Sequence, residues 1–96
     1  MFFLFDVGGT NTRMGFSRDG SSIEGEPIMT QTPQRYEDGV ALLVESAKKY
    51  AAPGQLRVAA GGLPGVIDQM TGTLLRAPHL EGWVGKPFVA DLSAAL

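Results

Sequence analysis

In the stretch FDVGGTNTR, residues 5–13, an apolar run meets Asp6, and Gly8, Gly9, Thr10, Asn11 and Thr12 follow close behind. A phosphate group needs several donors converging on it, and successive backbone N–H groups in a tight turn supply such a nest. Gly8 and Gly9 let the main chain approach a ligand without Cβ atoms in the way. The hydroxyls of Thr10 and Thr12 add two further donors. Asp6 would repel a phosphate unless a divalent cation, or its bound water, lay between them. These residue types therefore suit a nucleotide phosphate with Mg²⁺, Asp6 touching the metal through water. Arg13 adds positive charge only if its side chain points into the same cleft. The same residues also suit a plain β-turn in which Asp6 accepts backbone hydrogen bonds.

A second glycine-rich stretch, GGLPG at 61–65, follows another apolar run. Gly61, Gly62, Pro64 and Gly65 make a rigid loop with exposed amides that could frame a polar ligand such as a sugar. A structural crossover loop has the same composition. Two other nucleotide motifs are excluded by spacing. GWVGKP leaves too few residues between its glycines for a Walker loop and places Pro87 after the lysine, and no G-x-G-x-x-G opens a helix. His79 has no visible carboxylate partner and is a poor candidate for proton transfer.

The elements that must hold these turns are legible in the periodicity. FFLFDV at 2–7 is nearly continuous in apolar character and reads as a buried strand. TRMGFSR reads as a second strand, with Asp19-Gly20 as a hairpin signal into a third near residues 23–32. In YEDGVALLVESAKKY, Val40, Leu43, Val44 and Ala47 recur at helical spacing, acidic residues early and lysines late. Ala-Pro-Gly at 52–54 stops that helix. LRVAAGG at 56–62 reads as a strand returning beside the first. Two short extended runs, 65–68 and 73–76, flank the turn QMTG. A helix follows from Pro87, with Phe88, Val89, Leu92 and Leu96 as its apolar face. This order predicts an α/β fold with a mixed β-sheet and flanking helices.

Composition narrows the class. The 96 residues are 44% hydrophobic and 19% charged, with a net charge of -2. That suits one small globular domain without general attraction to nucleic acid or an anionic membrane. No cysteine is present, which excludes disulfides and thiolate metal sites within the chain. The opening apolar run is too short for a signal core or a membrane span. A cytoplasmic protein is expected.

Together, DVGGTNTRMG at 6–15 and GGLPGVIDQMTGTLLRAPHLEGWVGKPF at 61–88 resemble the ROK family, specifically its glucokinase-like sugar kinases. The first motif is shared with the wider actin and Hsp70-like ATPases; the second narrows the likeness. The resemblance implies a partial N-terminal lobe of the ribonuclease H-like, actin-like ATPase fold over residues 1–96. It also implies ATP-dependent phosphoryl transfer to a hexose or amino-hexose hydroxyl, with ATP and Mg²⁺ as cofactors. Asp6, Gly8, Gly9 and Thr10 carry over as the phosphate loop, and Gly61, Gly62, Pro64 and Gly65 as part of the sugar side. His79 stands where the family commonly has asparagine; a local structural role and a contact with the sugar or the other lobe both stay open. Trp83 carries over as a scaffold residue.

The family's catalytic base is an aspartate in an Asn-Asp pair on a strand after the helix near Pro87, and no residue of this chain replaces it. Asp68 is expected to cap a turn or face solvent, and Asp91 to lie on a solvated helix face. The zinc-binding region, adenine pocket and second lobe of the family also lie further on. The expected partners are the sugar, the missing C-terminal lobe and, as an open alternative, a second copy in a homodimer. The 96 residues alone are expected to be inactive. A non-catalytic fragment, a sugar-sensing regulator and another actin-like ATPase are the competing readings.

Overall fold

The computed structural model describes residues 1–52 and 54–96. The first strand, β1 (Phe2–Val7), turns back into β2 (Asn11–Ser17), which pairs with it antiparallel. β3 (Ile28–Gln31) adds antiparallel to β2. After α1 (Tyr36–Tyr50) the chain returns as β4 (Val58–Gly62), parallel to β1 on its other side. The sheet order is β3-β2-β1-β4, a mixed sheet as the element order predicts. β5 (Val66–Asp68) and β6 (Thr73–Arg76) form a separate antiparallel hairpin. A 3-10 turn (Glu81–Trp83) and α2 (Phe88–Ala95) follow.

Side chains alternate across a strand, and that alternation decides where the core sits. Phe3, Phe5 and Val7 pair in register with Phe16, Met14 and Thr12, so all six share one face, and all are buried. The helices cover this face: Leu43 and Ala47 of α1 and Phe88 and Leu92 of α2 join the same core, with the Phe5 and Phe88 ring centroids 5.8 Å apart. The opposite face carries Phe2, Leu4 and Asp6. It is only half covered, so the first strand is not buried on both sides as its continuous apolar run suggests. The segment 18–27 folds over part of it, placing Ile23 against Gly15.

Trp83 anchors the irregular stretch before α2. It is 1% exposed, stacks on Phe88, meets Tyr36 edge-on, and its indole N–H donates to the Pro33 carbonyl at 3.2 Å. The ring lies directly on Gly39 of α1, where any Cβ would overlap it. Full burial of one aromatic side chain contributes about 1.5–3 kcal/mol, so this contact ties α1 to the segment that leads into α2.

Three further expectations need correction. Asp19-Gly20 does make a turn, with the Asp19 carboxylate accepting from the Ser21 and Ser22 amides. It opens a long loop, however, and β3 begins only at Ile28. Val89 and Leu96 do not join the core: they are 53% and 38% exposed, beside the outer edge of β4. Asp91 is exposed by area but is not merely solvated, because it accepts a 2.6 Å hydrogen bond from the Tyr36 hydroxyl. The helix ends at Tyr50 with Ala51 as its C-cap, just before the expected Ala-Pro-Gly stop, of which Pro53 lies outside the described residues.

Two predictions follow from these contacts. Helix propensity alone would make Gly39→Ala stabilising by about 1 kcal/mol. Overlap with the buried Trp83 ring reverses the sign, and a net loss of about 1–3 kcal/mol is expected in denaturant unfolding. The Tyr36 hydroxyl is held above the ordinary phenol value, first by burial and then by Asp91, through its hydrogen bond and its charge. A raised folded-state value means the contribution is complete below about pH 10 and is lost as pH rises above it. Tyr36→Phe should therefore flatten the alkaline limb of a stability-against-pH curve.

Candidate functional site

β1 and β4 run parallel, so the turns that leave them open at the same end of the sheet. In α/β proteins that carboxyl end is where ligands bind. The register places Asp6 beside Gly62 on one side and Arg13 on the other, all on the face away from the helices. Asp6 is exposed there. Among the described residues the ion pair present is Arg18–Glu24, so the Asp6 carboxylate stays uncompensated although Arg13 shares its face. A Cβ on Gly62 would lie 3.6 Å from Asp6 Oδ1; with glycine at that position, the carboxylate is left uncovered on the β4 side.

The turn after β1 is held from below. The Gly8 amide donates to the Asn11 carbonyl at 2.9 Å, and the Thr32 amide donates to the Thr10 carbonyl at 2.8 Å. Thr32 Oγ1 donates to the Gly8 carbonyl at 2.8 Å. Its single proton is thereby used, so in the 2.7 Å pair between the buried Thr12 and Thr32 hydroxyls Thr12 is the donor. Among the described residues, the Gly9 and Thr10 amides have no protein acceptor. Thr10 and Asn11 are exposed.

The sequence-predicted site residues therefore separate into groups. Asp6, Gly9, Thr10 and Asn11 face the open end. Gly8 is there too, but its N–H is spent inside the turn. Thr12 does not reach the cleft: its hydroxyl, expected as a ligand donor, is 1% exposed and supports the turn from behind. Thr32, which holds the turn, is a residue that sequence reasoning missed. A threonine before Pro33 carries no local sign that it will meet a strand twenty residues away.

The second loop separates in the same way. Gly61 lies on the helix face, where a Cβ would overlap the Phe5 carbonyl oxygen, so its smallness serves strand packing. Gly65, at φ 96°, sits against the Arg76 carbonyl oxygen and lets the loop close on β6. Gly62 is left beside Asp6, and Pro64 is half-buried. Asp68 caps its turn through the Met70 amide at 2.9 Å. His79 comes to the same place from the far side. It adopts φ 66°, a left-handed conformation that asparagine takes readily, and its Cβ lies against Gly9.

Among the described residues no group of three or more His, Cys, Asp or Glu side chains could hold a metal ion. A groove of about 1030 Å³ lies on the helix side, between β4 and α2, with Phe5, Leu56, Val58, Leu63, Phe88 and Leu92 among its lining residues. It is apolar and faces away from Asp6. Among the described residues no helix is long and apolar enough to cross a membrane.

The threonine relay predicts an ordering. Thr32→Val strands the part-buried Gly8 carbonyl and the buried Thr12 hydroxyl together, whereas Thr12→Val leaves the Thr32–Gly8 bond intact. Each stranded group costs about 1–3 kcal/mol, so Thr32→Val should be the more destabilising in thermal unfolding.

No protein-family profile matches the sequence. The chain is 32% identical over 100 residues to N-acetyl-D-glucosamine kinases of several Escherichia coli strains, covering all of this chain and 32% of theirs. It thus spans about a third of the length of the curated relatives it matches. Among solved structures, a ROK family glucokinase from Streptomyces griseus, in complex with glucose and AMPPNP, superposes with a TM-score of 0.82 at 20% identity. The match covers 99% of this chain and 30% of that one. A ROK hexokinase from Thermus thermophilus gives 0.76 at 26% identity, over 95% of this chain and 30% of that one. Likeness in sequence and fold extends along the whole chain, which is similar to about one third of a ROK family sugar kinase.

Proposed function

We propose that the whole protein transfers the terminal phosphoryl group of ATP to a hydroxyl of a hexose or amino-hexose, and that this stretch supplies the phosphate turn. One observation carries the reading: the unspent Gly9 and Thr10 amides lie beside the uncompensated Asp6 carboxylate at the carboxyl ends of two parallel strands. Amides without protein partners suit phosphate oxygens. The Streptomyces griseus structure, solved with glucose and AMPPNP, and the N-acetyl-D-glucosamine kinases support both halves of the substrate pair.

An exposed carboxylate, with no group of three metal ligands among the described residues, fits Mg²⁺. That ion is commonly held by one or two carboxylates, water and the substrate's own phosphates rather than by a protein cage. Asp6 would hold it through water; when bound, the metal neutralises charge on the phosphates. The chain's own residues orient: Gly9 and Thr10 by their amides, Gly62 by leaving space, and the turn carrying His79 by closing the sugar side. No group here suits the role of base for the sugar hydroxyl. Asp68 and Asp91 are engaged in hydrogen bonds, and among the described residues no ion pair involves His79. Magnesium, a cytoplasmic location and pairing of two copies belong to this reading through the family likeness.

In the full-length gene product, Asp6→Asn should lower kcat for ATP-dependent hexose phosphorylation by on the order of 10²–10³. Its melting temperature should hardly move, because Asp6 is exposed and makes no ion pair. ADP release coupled to a panel of hexoses measures this, and an unchanged kcat would overturn the reading. The 96 residues alone should show no turnover in the same assay.

A further inference from the structure

We propose that Gly9 is a positioning residue whose missing side chain locks the sugar-side turn 77–80 onto the phosphate turn, so that the two ligand-facing turns move as one unit. The inference rests on the functional reading above but assigns Gly9 a role apart from approach to phosphate. A Cβ on Gly9 would lie 2.9 Å from His79 Cβ, 3.4 Å from the Pro78 carbonyl oxygen and 3.7 Å from His79 Cγ. The first of these is closer than carbon atoms pack. The left-handed conformation of His79 aims its Cβ at this point.

Neither side can retreat. The turn 77–80 is pinned by Ala77 and Leu80, buried at 5% and 0% exposure, by the Leu80 amide on the Ala77 carbonyl at 3.1 Å, and by the Trp83 amide on the Leu80 carbonyl at 3.1 Å. The phosphate turn is pinned by Thr32 through both its backbone amide and its hydroxyl. Two rigid turns in contact transmit displacement, since packed interiors compress little. A shift of the turn that carries His79 therefore moves the Gly9 and Thr10 amides as well.

The contact predicts a specific rescue. Gly9→Ala introduces the clash; His79→Gly removes the atom it strikes and suits the left-handed backbone. The four proteins of the cycle, in the full-length gene product, are compared by thermal unfolding and by KM for ATP and for N-acetyl-D-glucosamine or glucose. Coupling predicts that Gly9→Ala raises both KM values together, on the order of tenfold to a hundredfold. On the His79→Gly background the same change should have less than about a threefold effect, with the melting temperature restored in parallel. If Gly9 serves phosphate approach alone, Gly9→Ala raises KM for ATP only and His79→Gly rescues nothing, which overturns the proposal. The melting-temperature cycle needs no turnover. Additive melting shifts would refute the contact even in an active kinase, while a parent inactive on all hexoses would sink the functional reading separately.

Discussion

Parallel pairing of β1 with β4 is the constraint from which the site follows. Two parallel neighbours end at the same edge of a sheet, so the turns at 8–10 and 63–65 open side by side. The pairing needs a small residue opposite Phe5, because its ring and carbonyl occupy the place where a Cβ on Gly61 would sit. It then sets Asp6 next to Gly62, on the face that the helices leave uncovered. β2 departs antiparallel from the same end and brings Thr12 underneath the turn. A carboxylate, two unspent amides and an open flank are thus brought together by strand direction and register, and the Thr12–Thr32 pair holds the turn in place.

The helix side of the sheet fixes the remaining wall. Trp83 lies on Gly39, between Tyr36 and Phe88, and thereby sets the height at which the chain passes from β6 to α2. The turn 77–80 hangs from that anchor through Leu80. Its position against Gly9 is a consequence of hydrophobic packing on the far side of the sheet from Asp6. Burial on one face and ligand geometry on the other are linked through a single turn.

Much of this was legible in the residues. The helix at 36–50 follows from periodic Val40, Leu43, Val44 and Ala47, and the ends of the strands are marked by glycine. The turns that hold the site were legible as turns, since Asp-x-Gly-Gly and Gly-x-Pro-Gly leave few other conformations. What each glycine is for was not. Gly61 and Gly65 answer to Phe5 and Arg76, neighbours that only the fold supplies. Thr12 of β2 and Thr32, just beyond β3, form one buried relay, and neither carries a local mark of it. Asp19-Gly20 reads the same at a tight hairpin and at the mouth of a long loop. The departure of Val89 and Leu96 from the core has a similar origin: helical periodicity selects a face but not what lies opposite it.

The account stands or falls on whether the turn at 9–10 holds phosphate. The most direct measurement is a structure of the full-length gene product with a non-hydrolysable ATP analogue and magnesium. The account predicts phosphate oxygens about 2.7–3.2 Å from the Gly9 and Thr10 amide nitrogens, with a water on the metal reaching Asp6. Phosphates seated elsewhere, with those amides facing only solvent, would contradict it.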